Sequence, residues 1–318
     1  MTKGTFFRTI WKNRVRMMKR FLSLLLVLLM LPCALAEEEV LPLQAAFEPI
    51  PWDVTISPNA PNPDAYLPDQ AGYHDDSIDI RVETFRSHDT TVMAMYVTLT
   101  DVSQFRTSLS GINLTSKSVT YVSNMTRRVQ AVAGINGDYP NYHNQGIIYR
   151  NGQRHRFNPI AGRDTLIIDG NGDFHILSPT TKEAWDAYLE QGGTVLHSFA
   201  FGPGLVIDGE PLTDLETVRL DCGKYKDTQR IVIGQTGPLQ YLILATEGPE
   251  NEGSVGFDLL EMTELCMDMG MINAYNLDGG SSSTIVLNNE KINSLSTGKV
   301  RQVGDCIWFA TLVPSADE

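Results

Sequence analysis

The sequence predicts an α+β domain with mixed, largely antiparallel sheets and a few flanking helices. Three observations predict it. Short runs of alternating apolar residues recur along the chain, hairpin dipeptides separate several of them, and only three stretches carry helical periodicity. No repeat at solenoid spacing interrupts this pattern.

Residues 1–36 read as a signal peptide, which implies a secreted or extracytoplasmic protein of the cell envelope. Lys3, Arg8, Lys12, Arg14, Arg16, Lys19 and Arg20 form a basic stretch without an acid, Phe21 to Leu31 is apolar, and Ala34-Leu35-Ala36 offers a small-x-small cleavage pattern. The apolar stretch is short for a bilayer span, so the membrane is expected to be met only through this segment. Pro32 stands where a lipoprotein motif at Cys33 would need a small residue. The chain has 25 basic and 38 acidic side chains, a net charge of −13; all seven basic residues of the segment would leave on cleavage and no acid would, giving about −20. Such a surface repels nucleic acid and anionic membranes, so a phosphate-bearing substrate must meet a local cation. Cys222, Cys266 and Cys306 would remain, an odd number that allows at most one internal disulfide.

Residues 37–72 hold seven prolines and no periodicity, as an extended linker or a strap over the domain surface would. The folded domain is expected over 73–318. Ile78, Ile80 and Val82 alternate with charged residues, as do Met93, Met95, Val97 and Leu99 with their neighbours, so the two runs should pair across His88-Asp89. Thr115 to Arg128 reads as a helix with Val119, Val122 and Met125 inward, and Val129 to Ile135 as a buried strand. Asn151-Gly152 and Gly170-Asn171-Gly172 mark further hairpins. Thr181 to Gln191 reads as a capped helix, strands are expected at 195–200, 204–207, 230–234 and 239–245, and Phe257 to Met269 is the clearest amphipathic helix.

The most informative stretch is Asn276-Leu277-Asp278-Gly279-Gly280-Ser281-Ser282-Ser283-Thr284, set between apolar runs. A simple reversal needs two or three polar residues; here a carboxylate, two glycines and four hydroxyls stand together. Adjacent glycines can turn backbone N–H groups outward as an anion nest, and Ser282 and Ser283 can donate to phosphate or sugar oxygens. A Ser-rich turn without chemistry is the plain alternative.

Five blocks together resemble the phosphodiester glycosidase family. They are Ile135-Asn136-Gly137-Asp138-Tyr139 with Gly146-Ile147-Ile148, Phe201-Gly202-Pro203-Gly204-Leu205, Arg230 with Ile233-Gly234, Asn276 to Thr284, and Arg301-Gln302-Val303-Gly304-Asp305. They run in order between Tyr73 and Ala310. Gln229 and Gln302 stand where the family has proline, and Ser281 where glycine is common. The resemblance implies a hydrolase of glycosyl-1-phosphodiester bonds, such as a GlcNAc-1-phosphate linkage in a cell-wall, capsular or host glycan, with a glycan or glycosyl-phosphate as partner.

A phosphate monoester leaves as a stabilised anion, so such a site needs less of a general acid than an ordinary glycosidase. It needs a cation, a carboxylate and a sugar pocket. Arg230 is the expected phosphate clamp, because a guanidinium can hold two phosphate oxygens. Arg301 reads as a salt bridge to Asp305, with a second phosphate clamp as its other reading. Asp278 and Asp138 are the catalytic carboxylate candidates, with roles that the sequence leaves open and an Asx-turn as the plain reading of each. Asn136 and Asn276 precede them by two residues and could bind sugar hydroxyls or hold the carboxylates; Gly137, Gly279, Gly280 and His143 complete the expected substrate-binding set. Asp169-Gly170-Asn171-Gly172-Asp173 lacks the bidentate glutamate of a calcium loop, and no His/Cys cluster has zinc spacing, so neither metal nor cofactor is expected. Two other readings stay open: a non-catalytic carbohydrate-binding module on the same fold, and a serine esterase working through Ser281–Ser283.

Overall fold

The computed structural model describes residues 43, 47–142, 144–216, 219–220, 223–294 and 298–315. These all fall in one compact unit, Leu43–Glu318. The proposed signal peptide, His143 and Cys222 lie outside the described residues. Within them no helix is long and apolar enough to cross a membrane.

Three sheets form the domain. The largest runs β1 (Gly72–His74), β2 (Ile78–Ser87), β3 (Thr90–Leu99), β14 (Gln240–Thr246), β13 (Ile231–Gly237), β15 (Asn273–Asn276), β11 (Gly204–Ile207) and β12 (Glu210–Pro211). The second has the order β7 (Gln153–Asn158), β6 (Gly146–Arg150), β10 (His197–Phe199), β8 (Thr165–Ile168) and β9 (Phe174–Leu177). The third has β17 (Glu290–Lys291), β16 (Ile285–Leu287), β5 (Ala133–Asn136), β18 (Asp305–Phe309) and β4 (Phe105–Leu109). Every strand pairing among the described residues is antiparallel.

Turn chemistry fixes the registers. His88 and Asp89 both take positive φ, 47° and 51°, as the primed turns of two-residue hairpins require, and Ser87 faces Thr90 across them. Asn151 and Gly152, at 50° and 77°, do the same between β6 and β7. Asp169 Oδ1 accepts from the N–H groups of Asn171 and Asp173, so the Asp-Gly-Asn-Gly-Asp string is a hairpin turn.

Strand alternation then divides the core. Ile231 and Ile233 point into a central core shared by the three sheets, with Ile80, Val97, Phe199 and Ile307; Val232 between them points outward. Each sheet's other face is covered by one helix. The helix α1 (Val122–Val129) packs Val122 and Met125 on Val286 and Trp308 of the third sheet. The helix α2 (Lys182–Glu190) packs Trp185 on Ile147 and Ile167 of the second. The helix α3 (Leu259–Asp268) lays Met262 and Leu265 against Val232, Leu244 and Ala274 of the first. Full burial of such side chains stabilises by about 1.5–3 kcal/mol each. Asp258 starts α3 with a capping box to Glu261.

One helix begins later than its periodicity predicts. Leu114–Ser116 is a single 3-10 turn, Thr120 bridges to Val303, and only Val122 onward is α-helical, which leaves Val119 exposed. Asn113 and Ser116 bond their local backbone instead, the habit that makes Asn and Ser poor in helix interiors.

The proline-rich segment is described from Phe47 and lies on the domain. Ile50 is buried against α1 and Trp308, and the buried Arg106 of β4 donates to the carbonyls of Ile50, Pro51 and Val54. Its guanidinium stacks 4.7 Å from the Trp52 ring centre.

Candidate active site

The strings Asn136-Gly137-Asp138 and Asn276-Leu277-Asp278 leave the ends of β5 and β15, which belong to different sheets. Asn136 ties them together. Its Nδ2 donates to the Asp278 carbonyl at 2.9 Å, and its Oδ1 accepts from the Thr284 N–H at 3.0 Å. Asn276 donates through Nδ2 to the Gly202 carbonyl at 2.8 Å. Both amides are buried. Their work is to join loops, and of the two roles expected for them the sugar contact is closed to Asn136, whose amide is fully inside.

Asp138 is held on both oxygens. Arg150, at the end of β6, donates to Oδ1 at 2.7 Å, and the Ala200 N–H donates to Oδ2 at 2.6 Å. Arg150 also binds Asp305 Oδ2 through Nε and Nη2. Its guanidinium lies 4.3 Å from the Phe199 ring centre. This Asp138–Arg150–Asp305 cluster replaces the expected Arg301–Asp305 salt bridge. Burial pushes the Asp305 carboxyl's pKa up against the pull of Arg150, and the charge of Asp138 adds to the rise. Gly137 permits the approach: a Cβ there would lie 2.6 Å from the Asp305 carboxylate.

Asp278 is placed differently. It is 7% exposed, and its Oδ2 has no hydrogen-bond partner. Arg301 Nη1 stands 3.7 Å from that oxygen and donates to the Ser282 hydroxyl at 3.2 Å. Burial lifts the Asp278 pKa to about 6; the Ser282 hydrogen bond and Arg301 pull it down, and Asp138 pushes it up. Asp278 lines an open hollow of about 680 Å³ with Arg230, Arg301, Gly279, Gly280 and Phe201. Asp138 lines an adjoining, much tighter crevice with Tyr139, Gln145, Arg163 and the same Phe201. Tyr139 packs against Tyr142 and Phe201, with ring centres 4.6 and 5.7 Å apart.

The Gly/Ser turn is a 3-10 turn over Gly280–Ser282. Three of its N–H groups are committed: Gly280 to the Gln229 carbonyl, Ser282 to Gly279 and Ser283 to Gly280. The expected anion nest is therefore not built from those donors. Gly279 is required for contact, since a Cβ would meet the Gln229 carbonyl at 2.7 Å. Ser283 Oγ is buried. Arg230 lines the hollow, but Nε donates to the Phe257 carbonyl and Nη2 to those of Gly223 and Lys226, so these donors brace the wall. Arg150 was beyond the reach of sequence reasoning: it sits in Ile-Tyr-Arg-Asn-Gly, an ordinary strand end before a turn. Cys266 and Cys306 are both buried free thiols.

A sequence model of the phosphodiester glycosidase family matches residues 129–310, which span β5 through β18 and hold every residue of both carboxylate corners. The SPbeta prophage-derived uncharacterized protein YomE of Bacillus subtilis (strain 168) is 29% identical over 194 residues, 59% of this chain. The chain spans 29% of that protein's length. Among solved structures, the catalytic domain of zebrafish N-acetylglucosamine-1-phosphodiester alpha-N-acetylglucosaminidase, auto-inhibited by its pro-peptide, superposes with a TM-score of 0.59 at 15% identity, covering 80% of this chain and 87% of that one. A hypothetical protein from Synechocystis gives 0.53 at 12% identity, over 73% and 62%. At those identities the structures share the fold. The sequence match covers more than half of the chain and takes in both strand-end aspartates: the chain belongs to the phosphodiester glycosidase family.

Proposed function

We propose that this protein hydrolyses a glycosyl-1-phosphodiester, with Asp278 as the reacting carboxylate. The observation that carries the reading is the Asp278 Oδ2 atom, buried at the edge of a hollow, without a hydrogen-bond partner and 3.7 Å from a guanidinium. A carboxyl whose pKa is about 6 is largely ionised at neutral pH yet readily protonated, which suits a general base. Water's oxygen bonds to the anomeric carbon while its proton passes to Asp278. The bond from that carbon to the phosphate oxygen breaks, and the electron pair leaves on a phosphate monoester. Arg301 meets the phosphate oxygens, with Arg230 adding charge from the wall. The sugar lies towards Phe201 and Tyr139, whose rings offer the apolar faces that pyranoses stack on. Asp138, pinned by Arg150 and the Ala200 N–H, supplies a fixed negative charge beside the oxocarbenium-like centre. The family and the zebrafish enzyme's name point to N-acetylglucosamine as the first sugar to try. Export through residues 1–36 belongs to the same reading, and an exported product beginning at Glu37 would be its signature.

The test is release of free N-acetylglucosamine from its α-1-phosphomethyl diester. Turnover by the parent protein is expected. Saturable binding without release would establish the binding-module reading instead, and release that is lost only on Ser→Ala changes at 281–283 would establish the esterase.

A further inference from the structure

The charges around the Asp278 hollow do not match a simple diester. Lys226, Arg230 and Arg301 line it, and Asp278 is the only acid among its described lining residues. Three cations face one carboxylate, whereas a phosphodiester brings a single negative charge. This surplus sits on a chain whose net charge is −13, so it is a local feature and not a sample of the average surface. The nearby acids Asp227, Asp258 and Glu261 gather with one another outside that lining. The adjoining Asp138 hollow is walled by Tyr139, Phe201 and Ile160, with Gln145, and its Arg163 is 4% exposed. The cationic excess therefore lies on the phosphate side of Phe201. Lys226 is exposed and Arg301 half-exposed, at the open mouth where the alcohol beyond the phosphate would emerge.

We infer that the preferred substrate is a glycosyl-1-phosphodiester whose alcohol limb carries a second anionic group, a phosphate or carboxylate, met by Lys226 and Arg301 at the mouth of the hollow. This rests on the hydrolase reading and narrows it to polyanionic substrates. The second anion meets groups that water and salt reach, so its contribution is screened. It acts on capture more than on the chemical step, because it is bound alike before and during bond breaking.

The experiment compares two diesters of N-acetylglucosamine 1-phosphate on the full-length protein, one with methanol and one with glycerol 3-phosphate as the alcohol. At about 20 mM salt, kcat/KM should favour the second by about fivefold, mostly through KM, and the ratio should fall towards one at about 0.5 M salt. Lys226→Gln should lower the ratio more than it lowers turnover of the methyl diester, and Lys226→Arg should restore it. A ratio of one at low salt, with the methyl diester turned over, overturns the inference and leaves the hydrolase reading standing. Affinities of both diesters for Asp278→Asn are measured in the same buffers, so the preference is read from binding even without release. Equal affinities, or none, overturn it there too.

Discussion

Asp138 and Asp278 follow strand-end asparagines at the same spacing, yet the fold treats them in opposite ways. Asp138 has both oxygens occupied, by Arg150 and the Ala200 N–H. Asp278 keeps Oδ2 bare beside a half-exposed arginine, and its pKa rises to about 6. One corner holds a carboxylate still on both oxygens; the other holds a carboxyl whose raised pKa lets it gain and lose a proton. A shared motif therefore does not imply a shared role. What separates the two is the set of partners that the fold brings to each.

The comparison breaks most visibly in turnover. Asp278→Asn should reduce release of sugar by about 10³-fold, within the range for loss of an acid–base group. Stability should show the reverse order. Arg150→Ala leaves two buried carboxylates without their cation and should destabilise by about 3–5 kcal/mol in urea unfolding, whereas Arg301→Ala, which removes a half-exposed guanidinium 3.7 Å from its carboxylate, should cost under about 1 kcal/mol. The pH dependence of stability sharpens the contrast further. The folded-state pKa of Asp278 lies above its unfolded value, so the folded state holds the extra proton between about pH 4 and 6 and this group's contribution to stability falls as pH rises through that window. Asp278→Asn should therefore be more stable than the parent at pH 8, by on the order of 3 kcal/mol, with the difference shrinking to about 0.5 kcal/mol near pH 4. The smallest effect is on the activity profile. Removing the attraction of Arg301 in Arg301→Gln should move the acidic limb of kcat upward by about half a pH unit.

Local features of this fold were legible in the sequence where local chemistry sets them. His88-Asp89 and Asn151-Gly152 form the hairpins their residues call for, and Asp258 begins α3 where an acid precedes the apolar stripe. The Thr115–Thr120 stretch misled because Val119 falls at helical spacing from Val122 while Asn113 and Ser116 bond the nearby backbone. The site divides in the same way. Both aspartates and the glycine turn stand out as interruptions of strands. Arg150 does not, because its partner Asp305 is 155 residues away and no spacing rule links them. Arg301 looked tied to Asp305 by proximity in sequence, but β18 carries that carboxylate inward, beneath Gly137. The Gly279-Gly280 pair was readable as a tight turn, but the direction of its N–H groups depends on the Gln229 carbonyl, a neighbour supplied by another strand's approach.

The clasp that Arg106 makes on the carbonyls of Ile50, Pro51 and Val54 has a practical corollary. A truncated gene product starting at the first strand would leave a guanidinium inside the molecule with no oxygen to greet it and would strip the lid from Trp308. Anyone trimming this protein for expression should cut ahead of Phe47, and a protease that clips between Val54 and Tyr73 should loosen the third sheet before it touches either aspartate corner.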